Sequence, residues 1–151
     1  MSEDQPRLRF TVPGAAGVHT DAAGTSRLLP LAEVEGLLGL EDDALVLQYR
    51  VRDRAVAYDS GVQELRVPLE GVEALDVRRR WLRSARVLLR VRDLRLLEAV
   101  PGARGGTLAL QLGRGDVPAA LDLASTVALR AAERTLGPGS ETGGRLGPPS
   151  A

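Results

Sequence analysis

Between residues 34 and 112 the chain repeats one pattern: short segments with apolar side chains on alternate positions, each followed by a turn signal. Successive residues of an extended strand point to opposite faces, so this alternation describes strands with one face buried and one wetted. Such strands, spaced at roughly 8 to 12 residues, predict an antiparallel sandwich or barrel rather than a parallel α/β sheet.

The first core strand is expected at residues 34–40, paired with 45–52 across the acidic turn Glu41-Asp42-Asp43. A helix from Ser26 through Leu38 is the competing reading, and Pro30, Gly36 and Gly39 argue against it. In the second strand Leu45, Leu47, Tyr49 and Val51 share the inner face. Further strands are expected at 63–69, 72–81, 86–92, 94–100 and 107–112, which makes seven in all. Pro68 cannot donate to a ladder and places its strand's end, or the whole strand, at an edge. Asp116 then caps a helix that tolerates Pro118 in its first turn and stops before Gly137-Pro138-Gly139. Its core face is expected to carry Val117, Leu121, Ala124, Val127 or Ala128, and Ala131.

These elements divide the chain into a flexible N-terminal arm (1–27), one folded domain (28–137) and a disordered C-terminal tail (138–151). Leu8, Phe10 and Val12 alternate with Arg7, Arg9 and Thr11, which allows a short edge strand within the arm. Cysteine is absent, so neither disulfides nor thiolate chemistry enter. No segment reaches the ~20 consecutive apolar residues that span a bilayer, and the acidic Met1-Ser2-Glu3-Asp4 start is unlike a signal peptide. A cytoplasmic location is the expectation. All 20 basic residues are arginine, and lysine, isoleucine and asparagine do not occur, as a GC-rich bacterial coding bias produces. Net charge is zero but uneven: residues 1–43 hold three arginines against eight acids, residues 44–104 thirteen against eight.

Three stretches carry a family resemblance: Val34-Glu35-Gly36-Leu37-Leu38, Val67-Pro68-Leu69-Glu70-Gly71-Val72 and Pro101-Gly102-Ala103-Arg104-Gly105-Gly106. With the element order they resemble uncharacterised bacterial pleckstrin-homology (PH)-like proteins over roughly residues 30–136. The resemblance implies a mainly β fold, a split barrel of about seven antiparallel strands in a four-plus-three arrangement capped by one C-terminal helix. It also implies a non-enzymatic scaffold that binds phosphoinositides, peptides or its own copies. Lipid-binding members capture phosphate with a basic pair in the loop between their first two strands. Here that loop is read as Glu41-Asp42-Asp43, whose acidity argues against phosphoinositide binding.

Catalytic material is scarce. His19 is the single histidine and lies in the leader, which leaves no zinc site or serine–histidine arrangement to assemble, and no cofactor or metal is expected. The acids at 41–43 read as an exposed turn, the glycines at 102–106 enter a strand rather than a helix N-terminus, and Arg114-Gly115-Asp116 reads as a strand exit and helix cap. The candidate binding surface is an arginine cluster: Arg78, Arg80, Arg83, Arg86, Arg90 and Arg92, relieved by Asp76 and Glu64, with Trp81 nearby. Alternation places Arg78 and Arg80 with Arg90 and Arg92 on one sheet face. The expected partner is a protein or a second copy, docked on this face or on an exposed strand edge, with an anionic membrane or other polyanion as the alternative. Nucleic acid is disfavoured, because the arginines lack interleaved aromatic platforms.

Overall fold

A computed structural model describes residues 7–21, 23–79 and 85–136. Nine strands and one α-helix succeed one another: β1 (Leu8–Val12), β2 (Gly17–Thr20), β3 (Ser26–Leu29), β4 (Glu33–Glu41), β5 (Ala44–Asp53), β6 (Tyr58–Pro68), β7 (Val72–Arg79), β8 (Ala85–Val91), β9 (Thr107–Leu112) and α1 (Val117–Leu136). Seven form one antiparallel sheet in the order β6-β5-β4-β1-β9-β8-β7, and β2 and β3 make a separate hairpin. The mainly β architecture with a C-terminal helix therefore stands.

The sheet does not close. Its edge strands, β6 and β7, are joined only by a 3-10 turn at Leu69–Gly71. Helix α1 lies across the gap, packing chiefly on β7 and touching that turn and β4. Its buried line is Ala120, Leu123 and Val127; of the expected face Val127 is buried and Val117 packs on the core, whereas Leu121 is 39% exposed and Ala128 also faces solvent. The same line continues at three- and four-residue steps to Arg130 and Arg134. Arg130 Nη1 donates to the Asp42 carbonyl at 2.8 Å, and Arg134 contacts Asp43 at 2.7 Å and Glu70 at 3.2 Å. Those contacts fix the helix's rotation, which apolar spacing alone left between two adjacent lines.

The count of seven sheet strands holds through two offsetting differences. Residues 94–100 form no strand, because the Asp93 side chain accepts from the Arg95 amide at 3.1 Å and nucleates a 3-10 turn at Leu94–Leu97. Residues 8–12, expected in a loose arm or at an edge, are instead the sheet's central strand. β1 pairs with β4 on one side (Phe10 opposite Gly36) and with β9 on the other (Phe10 opposite Leu112). Leu8, Phe10 and Val12 are buried. A side chain at position 36 would carry its Cβ to 2.7 Å from Phe10 Cζ and into the β5 backbone at Gln48 and Tyr49. Glycine is therefore the residue that lets the ring lie flat on the sheet.

The first two strands of the sheet are thus β1 and β4, and residues 13–32 join them; the acidic turn at 41–43 joins the second and third. The long connection holds the β2–β3 hairpin, with Leu29 and His19 buried and Val18 opposite Leu28 on the outer face. Asp53, itself buried, anchors the chain's return by accepting from the Leu31 amide at 2.9 Å and the Ala55 amide at 2.8 Å. The expected tail at 138–151 lies outside the described residues.

Two measurements check this packing. Gly36→Ala should lower stability by about 2 kcal/mol or more in urea unfolding, as overpacked cores do. Leu123→Ala should cost about 2–4 kcal/mol and Leu121→Ala under about 1, whereas equal costs would mean that the helix face is misassigned.

Candidate functional site: an arginine face on the second half of the sheet

The outer face of the sheet divides into two electrostatic halves. On β1, β4, β5 and β6 nearly every guanidinium meets a carboxylate. Arg7 contacts Glu41 at 3.1 Å and Gln48 at 2.8 Å, and Arg66 contacts Glu41 at 2.9 Å and Glu64 at 3.6 Å. Arg52 pairs with Glu35, and Arg50 Nε donates to Asp59 at 2.9 Å. The Arg50 hydrogen bond, with a second from the Gly61 amide, holds the Asp59 carboxyl down at about 2.

The other half carries the candidate residues. Ladder partners stand directly opposite with side chains on the same face, so the register fixes who meets whom. Arg78 lies opposite Arg86, Ala74 opposite Arg90, and Asp76 opposite Leu88. Arg78 and Arg86 are brought together. Arg90 sits four residues along β8, roughly 13 Å from Arg86, and Arg92 lies past the strand end, its amide donating to the Gly71 carbonyl at 2.9 Å. Arg78 and Arg90 thus share the face expected of them, but Arg78's direct ladder partner is Arg86, and Arg92 lies beyond the strand. Arg80 and Arg83, with Trp81, lie outside the described residues. Glu64 does not relieve this cluster, since β6 is the opposite edge and Glu64 contacts Arg66 there.

Among the described residues, Arg78, Arg86, Arg90 and Arg92 form no ion pair. Arg78, Arg90 and Arg92 are exposed and Arg86 is half-buried. The Arg86 Nε is shielded from water and has no hydrogen-bond acceptor among the described residues. Across β8 and β9 the row runs on through Gln111 to Thr11 of β1, both neutral, and meets its first acid at Glu35, which Arg52 already engages.

Other features are accounted for locally. His19 sits in the hairpin opposite Arg27, and burial lowers its pKa while Asp21 partly offsets that shift. A depression of about 380 Å³ lined by Asp42, Asp43, Leu69, Arg130, Glu133 and Arg134 escaped the sequence reading, although the Arg130–Arg134 spacing signals it. Two of its cations are engaged in pinning the helix. The exposed pair Val18 and Leu28 was missed as well; alternation on both sides of Asp21 to Gly24 is its signal. Among the described residues no helix is long and apolar enough to cross a membrane, and no group of three or more His, Cys, Asp or Glu side chains could hold a metal ion. In comparison with known proteins, no family model matches the chain, and neither a curated protein nor a solved structure matches it significantly.

The charge pairing gives a titration test. A carboxylate with a depressed pKa contributes stability that is complete above its ordinary value, 3.8 for Asp59, and lost as pH falls towards about 2. A carboxyl-carbon NMR titration should place the Asp59 midpoint near 2, and Arg50→Ala should return it towards 3.8.

Proposed function

We propose that this chain is a non-enzymatic PH-like interaction module whose arginine face docks an acidic segment of a protein partner. The observation that carries this reading is the electrostatic division of the sheet. One half has paired most of its guanidinium groups with carboxylates, and the other presents Arg78, Arg86 and Arg90 with no carboxylate paired to them among the described residues. Unpaired surface cations steer acidic partners and raise their association rate. The PH-like assignment is supported by the four-plus-three division of the sheet, β6-β5-β4-β1 followed by β9-β8-β7, with a single C-terminal helix across the open side.

The acidic turn does not count against phosphate binding at the first connection, because the first two sheet strands are joined by 13–32 and not by that turn. Even so, that connection offers few cations. Arg27 stacks over the Tyr58 ring at 5.1 Å, and His19 is buried. The arginines of β7 and β8 remain the stronger surface.

Fluorescence anisotropy with labelled polyglutamate tests the proposal. Binding is expected at ~50 mM salt, should weaken steeply towards ~500 mM as screening sets in, and should fall roughly tenfold in the double variant Arg78→Ser with Arg90→Ser. Sedimentation velocity identifies a second copy as the partner if self-association vanishes in the same variant. Flotation with phosphatidylglycerol vesicles in the absence of polyglutamate binding would replace the protein partner with an anionic membrane.

A further inference from the structure

We infer that Arg78 and Arg86 form a two-armed receptor for a single phosphate monoester, carried on a phosphorylated side chain of the docked partner. The inference rests on the reading of this face as a protein-docking surface and narrows its ligand from acidic to phosphorylated.

Three observations converge on the pair. Arg78 and Arg86 are direct cross-strand partners, which sets their Cβ atoms about 5 Å apart on one face, and like charges so placed repel. No carboxylate pairs with them among the described residues. Gln111 and Thr11 continue the row as neutral groups, Glu35 is held by Arg52, and Asp76, two residues from Arg78 on the same face, makes no ion pair among the described residues. The Arg86 Nε, finally, is cut off from water and has no acceptor among the described residues. A guanidinium offers Nε and one Nη as a parallel fork, and the Arg86 Nε–H has an unmet donor that an oxyanion can satisfy once the side chain turns outward to receive it.

Charge matching selects the anion. The two guanidinium groups carry two positive charges, and a single carboxylate would leave one uncompensated. A phosphate monoester carries about −1.5 to −2 near neutral pH and offers three acceptor oxygens, enough to span both forks. Gln111, next in the row, can add an amide donor on the β9 side. Arg90, roughly 13 Å away, lies beyond the reach of the same phosphate.

Anisotropy with three labelled peptides of one sequence, bearing phosphoserine, glutamate or serine at the central position, separates this inference from the broader reading. The phosphopeptide should bind at least tenfold tighter than the glutamate peptide. Arg78→Gln and Arg86→Gln should each abolish that preference, Arg86→Lys should lose most of it because lysine lacks the fork, and Arg90→Gln should leave it within twofold. The Arg86 Nε–H resonance should shift on addition of inorganic phosphate and not of acetate at matched ionic strength. Without ligand, Arg78→Gln should melt no lower than the parent and should lose the stabilisation that phosphate confers. Equal binding of the phosphorylated and glutamate peptides would overturn the phosphate receptor and leave the acidic-partner reading intact. Failure of all three peptides together with polyglutamate would remove both. Equal losses from Arg78→Gln and Arg90→Gln, or capture by phosphoinositide vesicles with an inert phosphopeptide, would likewise overturn the inference.

Discussion

The seating of Phe10 on Gly36 is the contact on which the rest of this fold depends. β1 is the central strand, with β4 on one side and β9, the first strand of the other half, on the other, and Phe10 stands at the junction opposite Gly36 and Leu112. Its burial contributes about 1.5–3 kcal/mol by area. Its geometric role is larger. The ring occupies the space that a Cβ at position 36 would need, and so it sets how closely β1 packs against β4 and β5. From that junction one core extends through Leu38, Leu47 and Tyr49 on one side and Leu89, Leu108 and Leu110 on the other.

Once the sheet is joined there, its electrostatics follow from which strands are neighbours. β4, β5 and β6 bring acids and arginines into alternating register on the outer face, where Glu41 serves both Arg7 and Arg66. Exposed pairs of this kind contribute little each to stability, on the order of 0–1 kcal/mol. Their consequence is organisational: they consume the carboxylates. The β7–β8 arginines are left facing one another and neutral residues, with Asp76 on the same face and no ion pair among the described residues. Helix α1 answers the same logic, with Arg130 and Arg134 reaching the turn at 42–43 and Glu70.

Much of the sheet is legible in the sequence because its alternation is strong and its turns are marked. β4, β5, β8 and β9 fall within a residue or so of their expected bounds, and β7 begins where expected. The failures share a cause, since local composition does not record long-range pairing. The prolines and glycines around Leu8–Val12 suggested a loose arm, yet two distant strands recruit that segment into the centre. Leu94 and Leu96 alternate like a strand, but one side-chain hydrogen bond from Arg95 to Asp93 favours a turn instead. For the candidate site, the abundance of arginine at 78, 86 and 90 is visible in the sequence, whereas the Arg78–Arg86 opposition depends on the register across the β7–β8 reversal, which residue counting did not resolve.

The central strand's two partnerships also order the birth of the molecule. β1 is synthesised first and meets β4 about thirty residues later, but its other edge waits for β9, roughly a hundred residues downstream. A nascent chain can therefore assemble β1, β4, β5 and β6 while Thr11 and Phe10 still present an unfilled ladder to the surroundings. That edge is closed only once residues 107–112 have been made, since β9 is the strand that fills it.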